Sequence, residues 1–290
     1  MASTVRQGFE EFRSRLEITN LQSTTASGRQ ANLRANIARE LTVLDSFLTG
    51  SYQRSTMIAP LKDADIDVFL VLDAGYYDAG PNACANLLDR VKRAIAKHYR
   101  ETTGVSRNGQ AVTVYFSDFT VDVVPAFYRQ GGGYLIPNSI EKRWIGTDPK
   151  RHVALWSERN AARGGKLVPL LKMLKAWNRA HSRKLRSFHL EALALDIFRN
   201  LPITEYWTAA HDFFRSAQSM FAYTTDPAGY GGILASYLGD YAKQQEVRDR
   251  LQAAEARAQE AISLDLYYGK PDQAIAKWRI VFGDAFPAFG

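Results

Sequence analysis

Apolar residues recur at helical spacing in two early stretches, 5–18 and 28–48. In the second, Leu33, Ile37, Leu41, Leu44 and Leu48 fall on one helix face. Ser27-Gly28 marks the start of that helix, and Gly50 sits just past its end, so Gly50-Ser51 reads as closing it. The period then changes. A loop over 52–64 leads to a strand over 66–72, followed by a turn-rich connection from Gly75 to Pro81. Leu87, Leu88, Val91, Ile95 and Tyr99 form a stripe that predicts a helix over 82–99. Val112–Phe116 and Phe119–Val124 read as two strands joined at Ser117-Asp118. Gly131-Gly132-Gly133 is a loop, and a short strand is expected near Tyr134–Ile136. Beyond about residue 150 the strand signals stop. Helices are predicted over 150–161, 166–181, 187–200, 206–221, 230–236, 241–262 and 271–282.

This order predicts an α+β chain in two parts. Residues 1–155 form a mixed core with a small sheet and the N-terminal helices, and 156–290 form a helical bundle, with the boundary between 145 and 165. No internal repeat or low-complexity tract interrupts it. The Arg-, Glu- and Gln-rich stretch 246–260 is too short for a coiled coil and reads as a solvated helix face.

Composition narrows the classes. With 46% apolar and 23% charged residues the 290-residue chain has the make-up of a globular protein. No apolar run reaches the ~18 residues of a membrane span. Charges spread through residues 1–19 leave no signal-peptide core, which gives a cytosolic expectation. Cys84 is the single cysteine, so a disulfide framework and a Cys-based zinc site within the chain are both excluded, and it reads as a small buried hydrophobe. A net charge of +7 suits phosphate-rich ligands.

The chemistry lies in three aspartates. Asp65 and Asp67 stand 14 and 16 residues beyond Ser51 and open the apolar run Val68–Leu72. Their spacing puts both on one face of a strand. Asp122 interrupts a second apolar run, Thr120–Pro125. On neighbouring strands the three carboxylates would converge, an arrangement that is costly without cations, and divalent metals suit an all-oxygen site. Asp63 competes for the register but belongs to the loop or to the surroundings of the site. Two cations, Mg²⁺ or Mn²⁺, fit nucleotidyl transfer, in which a hydroxyl is activated and a leaving pyrophosphate steadied. Asp65 and Asp67 would carry the triphosphate's metal, and Asp122 would complete the second site and accept the hydroxyl's proton. Ser51 offers a hydroxyl to phosphate, and Gly50 allows close backbone approach.

Gly50-Ser51-Tyr52-Gln53-Arg54-Ser55-Thr56, followed by Lys62–Val68, resembles the signature of the DNA polymerase β-like nucleotidyltransferases. Phe119–Phe127, Trp144–Lys150, Leu170–Asn178, Leu185–Glu191 and Trp278–Pro287 are similar to segments of the bacterial cGAS/DncV-like nucleotidyltransferases. That resemblance implies a polymerase β-like core packed against a C-terminal helical bundle. It implies an enzyme that joins nucleoside triphosphates into a cyclic di- or trinucleotide signal in anti-phage defence, acting indirectly on an effector. It implies that Lys172 or Lys175, with Lys172 favoured, reaches the donor triphosphate with Ser187 beside it, and that Phe188 stacks on a base. His189 and Glu191 read as helix braces, and Arg54 as a loop arginine within reach of phosphate. The zinc insertion used for DNA sensing by the animal relative has no counterpart, because Cys84 is alone and the five histidines are scattered. Gly164-Gly165-Lys166 lacks the strand and the Ser/Thr of a P-loop. A regulatory partner, or conjugation through Gly290, is a further possibility that the resemblance raises.

Two other readings stand beside this one. The same acids serve nucleotidyl transfer to an RNA, a protein or a small molecule. A catalytically silent module binding nucleotide or RNA would need none of them.

Overall fold

The structure, a computed structural model, describes residues 2–18, 20–60, 65–99 and 104–290. The chain divides into two compact units: Ile18–Ala154, and the residues up to Glu17 with Leu155–Gly290. The first of these is built on a sheet. Its elements in order are α2 (Asn20–Ile37), β1 (Val43–Thr49), α3 (Gly50–Gln53), β2 (Asp65–Leu72), α4 (Ala83–Ala96), β3 (Gly104–Asn108), β4 (Ala111–Tyr115), β5 (Thr120–Tyr128), β6 (Tyr134–Asn138) and β7 (Arg143–Thr147). The strands run in the order β1-β2-β5-β4-β3, and the far end of β5 also pairs β6, which pairs β7. Among the described strands of this sheet, only β2 and β5 pair in parallel.

Alternation along these strands separates two apolar layers. Ile66, Val68, Leu70, Val121, Val123, Val112 and Val114 join Leu33 and Ile37 of α2 and Leu87, Leu88 and Val91 of α4 in one core. The opposite face carries a smaller cluster, Phe69, Val71, Ala126, Tyr134 and Ile136, with Phe47 against it. Asp65, Asp67 and Asp122 share the parity of that second face.

The helix expected over 28–48 ends at Ile37, and Leu44 and Leu48 lie instead on strand β1. A spacing of four residues satisfies both the helical period and the strand period of two, so the pattern did not separate the two structures. Antiparallel pairing of β1 with β2 settles the choice. Gly50-Ser51 therefore does not close a helix. It leaves a strand and opens the one-turn α3. Strands β3 and β7, Gly-Val-Ser-Arg-Asn and Arg-Trp-Ile-Gly-Thr, are too polar and glycine-interrupted to announce themselves.

The second unit is helical. Its helices are α1 (Val5–Arg15), α5 (Pro149–Ala162, which runs in from the first unit), α6 (Leu167–Ala180), α7 (Ser187–Ile197), α8 (Tyr206–Met220), α9 (Tyr241–Leu266) and α10 (Pro271–Phe282). Residues 230–236, expected as a helix, give a 3₁₀ turn at Leu234–Leu238. α6 is the buried element, with Leu170, Leu171, Met173 and Leu174 fully enclosed. α9 buries Val247, Leu251, Ala254, Ala258 and Ala261, one stripe at helical spacing. The residues up to Glu17, expected with the sheet, group with this unit. Phe9 and Phe12 are fully buried. Phe9 meets Trp278, Phe282 and Phe286 edge-on at ring separations of 5.0, 5.8 and 5.1 Å. Such partners lie some 270 residues away and leave no local trace. Among the described residues no helix is long and apolar enough to cross a membrane.

Candidate active site

The sheet register assembles the acids. Asp67 of β2 is paired with Asp122 of β5, and Asp65 with Thr120. On the other side, Asp67 is paired with Thr49 of β1. Asp122 in turn is paired with Thr113 of β4. Register partners point to the same side of a sheet. Thr49, Asp67, Asp122 and Thr113 thus form one polar row across four strands, with Asp65 and Thr120 a step outward. Phe47, Phe69 and Val124 form the apolar row behind it.

Gly50 lies directly beside this row. Its φ is +64°, a conformation suited to glycine. A Cβ on it would stand 1.7 Å from Asp67 Oδ2 and 2.6 Å from its Cγ. The Asp67 carboxylate thus rests in the space a side chain would fill. The turn after Gly50 is wound onto Ser51, whose carbonyl accepts from the Thr56 and Met57 amides at 2.9 and 3.0 Å. Of the motif's other residues, Lys62, Asp63 and Ala64 lie outside the described residues.

Hydroxyls hold two of the carboxylates. Thr113 donates to Asp122 Oδ1, and Thr120 donates to Asp65 Oδ1. Burial pushes the Asp122 carboxyl above the usual aspartate range, and the charge of Asp65 adds to this against the Thr113 hydrogen bond. Among the described residues, no three His, Cys, Asp or Glu side chains close on a single metal point. The donor chemistry fits a hard divalent cation nonetheless: three carboxylates share one face, and one of them is seated in a glycine cradle. Sequence reasoning missed all three threonines. For Thr113 a local signal existed, since the expected hairpin at Ser117-Asp118 sets it opposite Asp122; Thr49 and Thr120 meet their acids only through the pairing of β1 and β5 with β2.

Next to Thr49, a cavity of about 220 Å³ is lined by Phe47, Leu48, Gln53, Pro149, Lys150 and Val153. The Lys150 ammonium lies 4.6 Å from the Phe47 ring centroid and 3.1 Å from Asp45 Oδ2. Flat apolar walls with a few polar groups suit a heteroaromatic ring.

The remaining expected residues lie in the helical unit. Lys172 and Lys175 of α6 are both buried, but differently partnered. Lys175 Nζ is 3.2 Å from Glu191 Oε1, and Glu191 is fully buried and also accepts from Trp156 Nε1 at 2.9 Å. Lys172 Nζ is 2.6 Å from Glu17 Oε2, a side chain 49% exposed. Ser187 is exposed at the start of α7, and Phe188 stacks on Trp156 with centroids 5.7 Å apart. His189 Nε2 donates to the Phe221 carbonyl at 2.8 Å, and the Tyr237 hydroxyl lies 3.0 Å from its Nδ1. The same hydroxyl accepts from the Arg186 amide, bracing the turn that presents Ser187.

The mixed sheet lines up three carboxylates beside a glycine-opened turn, and this row is the chain's candidate active site. The chain belongs to the Second Messenger Oligonucleotide or Dinucleotide Synthetase (SMODS) family, whose profile matches residues 3–160. It is a cGAS/DncV-like nucleotidyltransferase. It is 23% identical to a probable cyclic nucleotide synthase of Bacillus cereus (strain VD146), over 99% of each chain. It is 28% identical to a cyclic AMP-AMP-AMP synthase of Acinetobacter sp. (strain ATCC 27244 / 9458), over 83% of this chain and 72% of the other. In fold it is similar to E. coli MS115-1 CdnC solved with ATP, at a TM-score of 0.79 and 17% identity, covering 98% and 99% of the two chains.

Proposed function

We propose that this enzyme joins nucleoside triphosphates into a cyclic di- or trinucleotide, releasing one pyrophosphate for each bond formed, as a second messenger in anti-phage defence. The observation that carries the reading is the register pairing of Asp67 with Asp122, with Asp65 on the same face and Asp67 seated in the Gly50 cradle. The relatives named as cyclic nucleotide synthases support the cyclic product.

In each turn the 2′- or 3′-hydroxyl of one nucleotide attacks the α-phosphorus of another. An O–P bond forms, the bond to the β,γ-pyrophosphate breaks, and the hydroxyl's proton is released. Asp122 is the residue we assign to accept that proton, as the acid completing the second cation site. Asp65, Asp67 and Asp122 would hold two divalent cations, Mg²⁺ or Mn²⁺, which when bound supply charge neutralisation at the triphosphate. Ser51 and Gly50 serve the phosphates. Lys172 is the lysine we assign to the donor triphosphate, with Ser187, because its partner Glu17 reaches solvent whereas that of Lys175 does not. Phe188 is assigned to stacking on a base, and the cavity beside Thr49 to holding one. The product would act in the cytoplasm on a separate effector.

The test is mass spectrometry of the products from an equimolar NTP mixture with Mg²⁺ or Mn²⁺. A phosphatase-resistant cyclic species from the wild type and none from Asp67→Asn is the expected result. Label appearing on RNA or protein instead would move the acceptor outside the nucleotide pool. An Asp67→Asn variant as active as the wild type would end the reading.

A further inference from the structure

Each of the three acids faces a threonine on a neighbouring strand: Thr49 for Asp67, Thr120 for Asp65 and Thr113 for Asp122. Thr113 is the most telling. It is 6% exposed in the middle of β4, and its neighbours Val112 and Val114 are fully buried on the other face. Valine has the same shape and favours strands equally. What distinguishes threonine here is its hydroxyl, and that hydroxyl donates to Asp122 Oδ1.

The kind of donor matters. Lysine or arginine would satisfy a buried carboxylate more strongly, but would bring positive charge to the spot where a cation has to be held. A hydroxyl is neutral. It fixes one carboxylate oxygen and leaves the negative charge and the second oxygen in place. The arrangement recurs between Thr120 and Asp65 at the more exposed end of the same face.

We propose that Thr113 is a positioning residue of the nucleotidyl-transfer site: its hydroxyl holds the Asp122 carboxylate in the orientation that receives a divalent cation. This rests on the reading of Asp122 as an acid of that site. Partners of this kind behind metal ligands are typically worth about 10- to 100-fold in metal affinity or activity.

The experiment compares Thr113→Val and Thr113→Ser with the wild-type full chain. Mn²⁺ alone is the probe, followed by the electron paramagnetic resonance signal of the free ion, and kcat and KM for NTP are measured separately. Thr113→Val should weaken Mn²⁺ binding and lower kcat, each by about 10-fold or more, with KM for NTP unchanged. Thr113→Ser should restore both, which a purely structural role for the side chain would not require. Wild-type Mn²⁺ binding and kcat in a folded Thr113→Val overturns the proposal. If Thr113→Val fails to fold, Thr113→Ala against Thr113→Ser decides on the same two readouts. Asp122→Asn is run alongside. If that variant binds Mn²⁺ and turns over like the wild type, the reading of the acid itself has failed. If it loses both while Thr113→Val does not, only the threonine proposal falls.

Discussion

The acid-bearing sheet face and helix α6 both hold charge against the fold, the first part-buried at Asp122 and open at Asp65, the second buried, and they settle it in opposite ways. On the sheet, Asp65 and Asp122 receive hydrogen bonds from neutral hydroxyls. On α6, Lys172 and Lys175 face carboxylates. A carboxylate held by a hydroxyl keeps its full charge for an incoming cation. A buried lysine paired with a buried glutamate has that charge already matched. Lys172 lies between these cases, since its carboxylate partner is half in solvent. On the proposed function, the face of the sheet trades stability for cation binding, while the Lys175–Glu191 pair serves the structure.

The largest effect should come from the sheet. Asp67→Asn removes a charge that a cation needs, and is expected to lower product formation by about three orders of magnitude, on the scale of the several kcal/mol a bound metal supplies. The same change relieves crowding among like charges, so the melting temperature should hold or rise. Parallel rate and thermal-unfolding measurements check both halves. A loss of activity matched by a loss of stability would erase the contrast with α6.

Glu191→Leu should behave in the reverse manner. It leaves Lys175 buried without its carboxylate and Trp156 without its acceptor, and breaking such a pair typically costs about 3–5 kcal/mol of stability. Glu17→Gln, at a half-exposed partner, should cost under about 1 kcal/mol. Denaturant unfolding of the two variants measures the difference directly. Equal costs would mean that Lys172 serves the structure to the same degree as Lys175.

Gly50→Ala is expected to cost less than the loss of Glu191, because strain at a left-handed position is typically about 1–3 kcal/mol. The added Cβ has to displace the Asp67 carboxylate, so Mn²⁺ affinity should fall along with the melting temperature. Unchanged Mn²⁺ binding would detach the glycine cradle from the site.

The sequence disclosed these regions unequally, for physical reasons. Asp65 and Asp67 were legible because a period of two is a property of the chain itself, and an acid at the mouth of an apolar strand stands out. Asp122 stood out in the same way. Thr120 and Thr49 could not be singled out, because each matters through a partner on β2, a separate segment of the chain, whereas Thr113 was within reach of the expected hairpin at Ser117-Asp118, which sets it opposite Asp122. Strand β1 was hidden by leucines whose spacing of four suits helix and strand alike. The two α6 lysines were visible as a pair, but what separates them, Glu17 and Glu191, comes from different segments.

The smallest expected effect is one of pH, and it belongs to the helical unit. Burial holds the His189 imidazole below its ordinary pKa of 6.5, with the Phe221 carbonyl hydrogen bond opposing the shift only in part. The neutral ring is therefore the form the fold accommodates. The unfolded chain binds the proton more readily, so the stability from this residue is present in full above about pH 6.5 and declines as pH falls below it. The decline is bounded at about 1.4 kcal/mol for each pH unit traversed between the unfolded and folded values. His189→Gln, which keeps a donor for the Phe221 carbonyl and does not titrate, should lower stability somewhat at pH 7.5 and flatten its dependence between pH 7 and pH 5. Denaturant midpoints of the wild type and the variant across that range give the comparison. Because Arg186 and Tyr237 tie His189 to the turn presenting Ser187, acidification should also loosen that turn. Amide exchange at Ser187 and Phe188 that rises with acidity in the wild type, beyond the intrinsic change, but not in His189→Gln would bind this pH response to the helical unit. Identical pH slopes in the two proteins would assign the response to other groups.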